Sequence, residues 1–294
     1  MKDQYHAYLK RREEIKRHPF GSIWLEQTSR YLHPFQIFGN VWYVGDSWVC
    51  VHLIDTGDGL LLIDSGNCGA TAMLVQAIWE AGFDPADVRW IIHSHGHVDH
   101  IGGANFFKQM YGTKLLLSAP DAEMFREQPE LSMIWDSHSD LDQLFVPDQE
   151  IRDGDILMFG NTAIRFVMVP GHTAGCLAMF FDATDGERSV RCGYYGGFGF
   201  NTLTDDYLTE IGDTSFQMRK NYLRSLEKVW DEPVELFLGN HCVDNDLFAH
   251  RLQQIKGTSE GNPYLDSTAW KKYLQKKHHE LQKLYPELSN DAAI

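Results

Sequence analysis

HSHGHVDH, residues 93–100, contains four histidines and one aspartate within eight consecutive positions. The apolar run Val88–His93 predicts a buried strand, and a helical pattern from about His100 to Met110 follows it. The cluster therefore lies at the carboxyl end of a strand, where open α/β sheets usually hold their functional sites. Packing explains a single histidine, but it does not explain this concentration of ionisable side chains.

The spacing inside this segment indicates metal binding. In an extended loop the side chains of His95 and His97 point to the same side, so their imidazoles can hold one ion. Asp99 and His100 begin the next helix and face a second position. Three imidazoles and one carboxylate favour zinc, although iron, cobalt or manganese would also accept these ligands.

Two further histidines follow apolar strands and lie next to glycine. His172 lies in VPGHTAG, after a strand predicted to end at Val169. His241 lies in LFLGNHCVDN, after a strand predicted to end at Leu238. From the residues alone, each is equally well explained as a turn histidine bonded to a nearby backbone carbonyl.

Strand and helix patterns alternate on both sides of the cluster. The stretch Val41–Gly66 predicts a meander of short strands separated by Gly-Asp turns, and Thr71–Glu80 predicts a helix. Helical patterns recur at Phe216–Val229 and Asp246–Ile255 after further apolar runs. The glycine-rich stretch Gly193–Phe200 lacks the Lys-Ser/Thr ending of a phosphate loop and is interpreted as a close-packed turn. Two sheets covered by helices fit this order.

The chain shows no linker or internal repeat, so residues 1–294 are predicted to form a single domain. A helix is expected at about 1–18, before Pro19, and a charged amphipathic helix at about 268–283. The first helix suits the surface or a contact in a possible homo-oligomer.

The composition argues against several classes of partner. Lys and Arg total 26 against 41 Asp and Glu, and the net charge of -15 would repel a nucleic-acid backbone. The sequence contains neither an export signal nor a membrane-spanning apolar run, so we expect a cytoplasmic protein without a membrane partner. The five cysteines are scattered and are expected to be free thiols.

The ordered motifs His95-x-His97-x-Asp99-His100, Pro170-Gly171-His172-Thr173 and His241 resemble the metallo-β-lactamase superfamily. The ligand set of histidine and aspartate alone is similar to that of the third subclass of metallo-β-lactamases. The resemblance implies a four-layer αββα sandwich with the site at the shared edge of the sheets. It also implies that His95, His97 and His172 hold a first zinc ion, and that Asp99, His100 and His241 hold a second.

Two departures from the family pattern concern the region after the third motif. Many hydrolases of the superfamily place a bridging aspartate there, whereas this chain has VRCGYYGGFGF at residues 190–200. The third subclass carries serines that help to hold the carboxylate of the drug, and Gly197 and Gly199 align with them. The resemblance therefore leaves the substrate open.

The function implied is hydrolysis of a small molecule, a cyclic amide, lactone or ester, by water that two metal ions activate. Asp99 is the expected catalytic residue, since it can both bind metal and aim the water. Asp64 is a candidate for orienting the ligand loop, although capping a turn explains it equally well. Tyr194 and Tyr195 are candidates for stabilising an oxyanion, with core packing favoured.

Two alternatives to this function are kept. In the first, the chain is a non-catalytic metal-binding homologue. In the second, it is a hydrolase that acts on an unrelated metabolite and has no β-lactamase activity. Specificity is expected to depend on pocket-lining loops such as Asp121–Gln149, a stretch interpreted as a lid. Deletion of Met133–Asp140 should then alter substrate preference and leave the metal content unchanged.

Overall fold

The computed structural model describes residues 2–17, 26–134 and 144–289. Seven strands form a first sheet in sequence order. The first four pair antiparallel, and the fourth to seventh pair parallel. The strands are β1 (Phe35–Phe38), β2 (Val41–Tyr43), β3 (His52–Asp55), β4 (Leu60–Ile63), β5 (Val88–Ile92), β6 (Lys114–Ser118) and β7 (Gln149–Ile151).

Five strands form a second sheet in the order β12-β11-β10-β9-β8. Only β11 and β12 run parallel within it, and the other pairs are antiparallel. The strands are β8 (Ile156–Phe159), β9 (Thr162–Met168), β10 (Leu177–Thr184), β11 (Ser189–Tyr195) and β12 (Leu236–Leu238).

The described residues form nine α-helices, most of them packed on the outer faces of the sheets. They are α1 (Lys2–Arg17), α2 (Thr71–Glu80), α3 (Val98–Ile101), α4 (Ala104–Tyr111), α5 (Ala119–Glu127), α6 (Asp205–Glu210), α7 (Gln217–Val229), α8 (Leu247–Lys256) and α9 (Ala269–Leu284). No helix in these described stretches is long and apolar enough to cross a membrane.

The core has three apolar layers, and this layering confirms the four-layer αββα sandwich. The inner faces of the two sheets meet around Leu61, Met179 and Phe181. The outer face of the first sheet packs on α2 and α4, and Trp270 of α9 packs on the outer face of the second sheet. Burying this apolar surface is the main force that holds such layers together.

Two of the differences between the predicted and the observed elements lie at glycine-rich positions. The helix expected from His100 to Met110 is two helices, because Gly102 packs directly on the backbone of Asn67 and the chain turns there. The Gly193–Phe200 stretch is not all turn: Gly193 lies in β11, where a Cβ atom would meet a Val234 methyl at 2.5 Å. Close packing requires glycine at this position. Because glycine is also common in turns, the sequence alone indicated a turn there.

The two sheets are hydrogen-bonded to each other at one edge. The amide of Leu177 at the start of β10 donates to the carbonyl of Ser94 after β5, at 2.9 Å. Nearby, the amide of Cys50 donates to the carbonyl of Asn240 after β12, at 3.0 Å. The loops that follow β4, β5, β9 and β12 therefore meet at this edge, as the sequence pattern predicts.

Candidate metal centre

Three histidines from both sheets meet at this edge. The ring centroids of His97 and His172 lie 4.5 Å apart, and those of His95 and His172 lie 5.0 Å apart. One nitrogen of each of these three imidazoles lies within 4.8 Å of one nitrogen of the other two, which is compatible with a single shared ion. All three side chains are buried.

A second group lies beside the first. His95, Asp99 and His100 also offer ligand atoms within 4.8 Å of one another. A carboxylate oxygen of Asp99 lies 3.4 Å from Nε2 of His100 and 3.7 Å from Nε2 of His241. The structure thus brings the six predicted ligand side chains together, in two adjoining clusters.

Oxygen acceptors fix the tautomers of His172 and His241. Nδ1 of His172 lies 2.9 Å from the carbonyl oxygen of Gly199, and Nδ1 of His241 lies 3.2 Å from that of Trp48. Because a carbonyl oxygen can only accept, each Nδ1 must carry the hydrogen. Each Nε2 therefore keeps a free lone pair, which is the form that binds a metal.

The carboxylate of Asp64 fixes two more imidazoles. Nδ1 of His100 donates to Asp64 at 2.8 Å. The hydroxyl of Ser94 donates to the same carboxylate at 2.9 Å, so its oxygen is left to accept from Nδ1 of His95 at 3.0 Å. Both rings are thereby held with Nε2 facing the other ligands.

Three ring nitrogens in the clusters have no hydrogen-bond partner in the described parts of the chain. They are the buried Nε2 atoms of His95, His97 and His100. A buried polar atom without a partner costs about 1–3 kcal/mol. A bound cation would satisfy these atoms, so the residues fit a divalent metal that accepts imidazole and carboxylate ligands.

Asp64 lies behind the histidines and is fully buried. It also accepts the hydroxyl of Tyr194 at 2.6 Å and the amide N–H of Ser94 at 2.7 Å. The side chain of Asn240 contacts the same hydroxyl at 2.7 Å. The arrangement agrees with the alternative in which Asp64 orients the ligand loop.

Burial and charge set the proton affinities of the site. Burial favours the neutral imidazole of His100, but the carboxylates of Asp99 and Asp64 outweigh it and raise its pKa to about 10. Burial, reinforced by the neighbouring histidines, lowers the pKa of His95 well below its usual range, and burial lowers that of His172 to about 4. Binding of metal to His100 therefore competes with a proton, whereas binding to the other two does not.

Burial opposes ionisation of Asp99, but the imidazoles of His100 and His241 outweigh it and keep the pKa of Asp99 below its usual range. The side chains of Asp99 and His241 remain partly exposed, at 16% and 22%. The open side of the site is therefore next to these two residues, where an ionised carboxylate can contact a substrate or a water.

The two tyrosine candidates lie away from this open side. The hydroxyl of Tyr194 is taken up by Asp64 and Asn240, so Tyr194 supports the ligands from behind. Tyr195 points to the opposite face of β11, where its ring stacks on Phe198 at 4.6 Å in the core under the helices. Neither hydroxyl is placed to stabilise an oxyanion, because successive strand residues face the two apolar layers.

The glycines of the loop after β11 lie against His172. Gly197 has φ +79°, and a Cβ atom there would lie 2.8 Å from Cβ of His172. A Cβ atom on Gly199 would lie 3.0 Å from Cε1 of the same ring. A side chain at Gly197, such as the serine that the family pattern carries there, would therefore displace a proposed ligand.

Sequence reasoning missed two buried polar residues of the site. Asn240 directly precedes His241, and only this adjacency indicates its role. Asp121 was assigned to a lid, but it lies buried in the first turn of α5 and contacts both histidine loops. Residues 135–143 of the predicted lid stretch, which include most of Met133–Asp140, lie outside the described residues.

A family model described as the metallo-β-lactamase superfamily matches residues 49–186. The matched range contains Asp64, the histidine cluster and His172, and it ends before His241. The match therefore covers β3 to β7 of the first sheet and β8 to β10 of the second.

Curated relatives align with part of the chain. The hydroxyacylglutathione hydrolase of Anaeromyxobacter dehalogenans is 29% identical over 128 residues, which make up 44% of this chain and 40% of the relative. A probable metallo-hydrolase of Burkholderia pseudomallei is 28% identical over 194 residues, 62% of this chain and 63% of the relative. The chain thus spans about half the length of the curated relatives it matches.

Solved structures align over nearly the whole chain. The native metallo-β-lactamase FEZ-1 of Legionella gormanii has a TM-score of 0.77 and 26% identity, and the match covers 88% of this chain and 98% of that one. BJP-1, a subclass B3 metallo-β-lactamase of Bradyrhizobium japonicum, has a TM-score of 0.76 and 21% identity, with 91% and 98% covered. The second likeness concerns the fold alone.

Proposed function

Because the chain belongs to the metallo-β-lactamase superfamily, we propose that it is a hydrolase that uses two bound zinc ions. The substrate proposed is a small molecule with a cyclic amide, a lactone or a related ester, as in a β-lactamase-like reaction. Nucleic acid is a poor partner for a chain of net charge -15. Five free, buried cysteines suit a reducing compartment such as the cytoplasm.

The observation that carries the proposal is the orientation of the imidazoles. Four of the five histidines present Nδ1 to an oxygen, so Nε2 of each faces the cluster as the nitrogen available to a metal, which at His100 displaces a proton. A structural cluster of histidines has no need for such matched tautomers. The residues divide into His95, His97 and His172 for a first ion, and Asp99, His100 and His241 for a second.

Asp99 is assigned the catalytic role. When bound, the two ions would lower the pKa of a water toward about 7 and polarise the substrate carbonyl. The ionised carboxylate of Asp99, on the open side of the site, would accept a hydrogen bond from the attacking water and aim it at the substrate. Asp64 and the backbone carbonyls of Trp48 and Gly199 hold the imidazoles in place while this happens.

The nature of the loop after β11 bears on the substrate. No carboxylate occupies residues 190–200, so a bridging aspartate is not available from this segment. Gly197 and Gly199 offer no hydroxyl for a substrate carboxylate. Both features favour a substrate that is recognised without a carboxylate group of its own at this position. We therefore test lactones and esters alongside β-lactams.

The first experiment combines metal analysis with a substrate panel. Elemental analysis of the purified protein should find about two equivalents of zinc, with iron, manganese or cobalt as the alternative outcomes. Nitrocefin, a lactone and a glutathione thioester should then be tested for zinc-dependent hydrolysis. Less than one equivalent of any metal after reconstitution would refute the proposal, and two equivalents without turnover on a broad panel would favour the non-catalytic homologue.

Asp99→Ala is the decisive variant. It should lower kcat/KM by about 100-fold or more, because it removes the group that aims the water. It should also weaken the second ion selectively. Asp58→Ala is a suitable control, since Asp58 is an exposed turn residue whose ion pair with Arg89 contributes little. An Asp99→Ala enzyme with near wild-type turnover would contradict the assignment.

A further inference from the structure

Asp121 connects the two loops that supply the first proposed ion. One carboxylate oxygen accepts the amide of Gly96 at 2.7 Å and the hydroxyl of Thr173 at 2.8 Å. The other oxygen accepts the amide of Gly175 at 2.8 Å. Gly96 lies between His95 and His97, and Thr173 follows His172.

These contacts join the two sheets. The His95–His97 loop follows β5 of the first sheet, whereas the His172 loop connects β9 and β10 of the second. Asp121 is itself fully buried. A single carboxylate therefore sets the distance between two ligands on one sheet and the third ligand on the other.

Close packing leaves the Asp121 side chain little freedom. A Cβ atom added to Gly175 would lie 2.5 Å from the Asp121 carboxyl carbon and 2.1 Å from Oγ of Ser118. A Cβ atom added to Gly96 would meet the end of Met124 at 2.6 Å. Both loops thus approach α5 as closely as glycine allows.

Capping of α5 does not account for Asp121. Oγ of Ser118 accepts the first available amide of the helix, that of Asp121 itself, at 3.4 Å. The hydrogen bonds recorded for the Asp121 carboxylate lead to the two histidine loops, not to its own helix. Burial of a carboxylate costs free energy, and stabilisation of one turn does not require a carboxylate that accepts three donors from two loops.

We propose that Asp121 is a positioning residue that holds the His95–His97 loop and the His172 loop at the spacing the first ion requires. The proposal rests on the metal positions described above. Only a carboxylate suits the role: an amide has one acceptor oxygen, and its NH2 group would face the N–H of Gly96 or Gly175.

The test measures each metal position separately by cobalt titration. His172→Ala and His241→Ala provide reference absorption spectra in which only one position remains intact. In Asp121→Asn the affinity of the first position should fall about 10- to 100-fold, while that of the second stays within about twofold. Circular dichroism and thermal unfolding establish that the variant is folded.

Two further variants serve as a milder change of the same contact and as a control. Thr173→Val removes one donor to Asp121 and keeps the shape of the side chain, so it should weaken the same position by a smaller factor. Glu123→Gln on the exposed face of α5 should change neither affinity. If Asp121→Asn does not fold, the Thr173→Val result decides.

The outcomes separate this inference from the proposed function. If the wild-type protein binds no cobalt, the proposed function fails. If the wild type binds two ions and both Asp121→Asn and Thr173→Val keep both affinities, or lose both equally, only the positioning role is overturned. Selective loss at the first position, with an altered absorption spectrum for that ion, supports it.

Discussion

Asp64 combines an unusual backbone conformation with a crowded carboxylate. Its φ is +64°, in the left-handed region, which aspartate and asparagine adopt more readily than other non-glycine residues. This conformation turns the side chain toward Ser94, His100 and Tyr194 directly after β4. Charge, and not only shape, matters here, since burial opposes ionisation but the contacts with His100 and Ser94 outweigh it and keep the Asp64 pKa below its usual range.

Asp64→Asn tests the charge while it preserves the shape. An amide cannot accept from both Ser94 and His100 with the same strength, and it does not stabilise an N–H donor next to a bound cation. We expect the affinity for the second ion to fall about 10- to 100-fold, as measured by cobalt titration. Asp246→Asn is the matched control because Asp246 also has a positive φ, of 51°, but is exposed. Equal losses in the two variants would show that backbone conformation alone is responsible.

At this scale the sequence predicted the ligand types but not their support. Histidine and aspartate are recognisable because few structural roles need them in an HxHxDH spacing. Asn240 and Asp121 are common loop and helix residues, and their importance depends on which distant loops fold against them. Those contacts, such as Asp121 with Thr173, follow from the packing of the two sheets and leave no local pattern.

At the scale of elements, the loop after β11 shows why glycine is required beside a ligand. Gly197 has φ +79°, and its α-carbon faces Cys176 and His172, where an added Cβ would lie 2.7 Å from the Cys176 sulfur. The same loop turns so that Gly199 can accept the Nδ1 hydrogen of His172. Conformation and close approach thus impose the same residue.

Gly197→Ala should therefore lower the free energy of unfolding by more than the cost of the positive φ alone. The left-handed conformation costs about 1–2 kcal/mol for a residue with a Cβ atom, and displacement of His172 adds to this. Gly186→Ala separates the two effects, because Gly186 has φ +94° and nothing within 4 Å of an added Cβ. Urea unfolding of both variants measures the difference. Equal losses of stability would show that contact with His172 is unimportant.

The elements themselves were predicted unevenly. The helices at 71–80 and 217–229 and the strands of the first meander agree because their apolar periodicity is set locally. Strand β6, Lys114–Ser118, was not predicted, and the segment after it was interpreted as a lid although Ala122 and Phe125 of α5 are buried. A short apolar run between two helices acquires strand structure only from its neighbours β5 and β7.

At the scale of the whole molecule, buried histidines outside the ligand set couple stability to pH. His52 contacts the carbonyl of Gly239 at 3.0 Å, and His93 contacts that of Leu116 at 3.1 Å. Burial lowers the pKa of each to about 4, below the ordinary histidine value of 6.5. The unfolded chain therefore binds protons that the folded chain does not bind between these two pH values.

The sign of the effect follows from this difference. Stability from the two neutral histidines is complete above pH 6.5 and is lost as the pH falls toward 4. Each should contribute a loss of about 1 kcal/mol per pH unit in that window. Urea unfolding of metal-free protein at several pH values measures the slope.

Variants assign the slope to individual residues. His52→Gln should lower the number of protons taken up on unfolding by about one, and so reduce the slope of the unfolding free energy against pH. The exposed His279→Gln should leave this slope unchanged. An unchanged slope in His52→Gln would contradict the coupling. Differences in slope are the readout, because the substitution also changes stability by an amount that does not depend on pH.

The hydrogen-bonded seam between the sheets at Ser94 and Leu177 gives the proposed ions a mechanical task besides chemistry. Each ion would take ligands from both sheets, and so would staple segments that are far apart along the polypeptide. Because the unfolded chain lacks the assembled site, the free energy of metal binding would add to the stability of the folded state. In a protein whose cysteines are all free thiols, zinc would thus provide a reversible cross-link between the two sheets where a disulfide is absent.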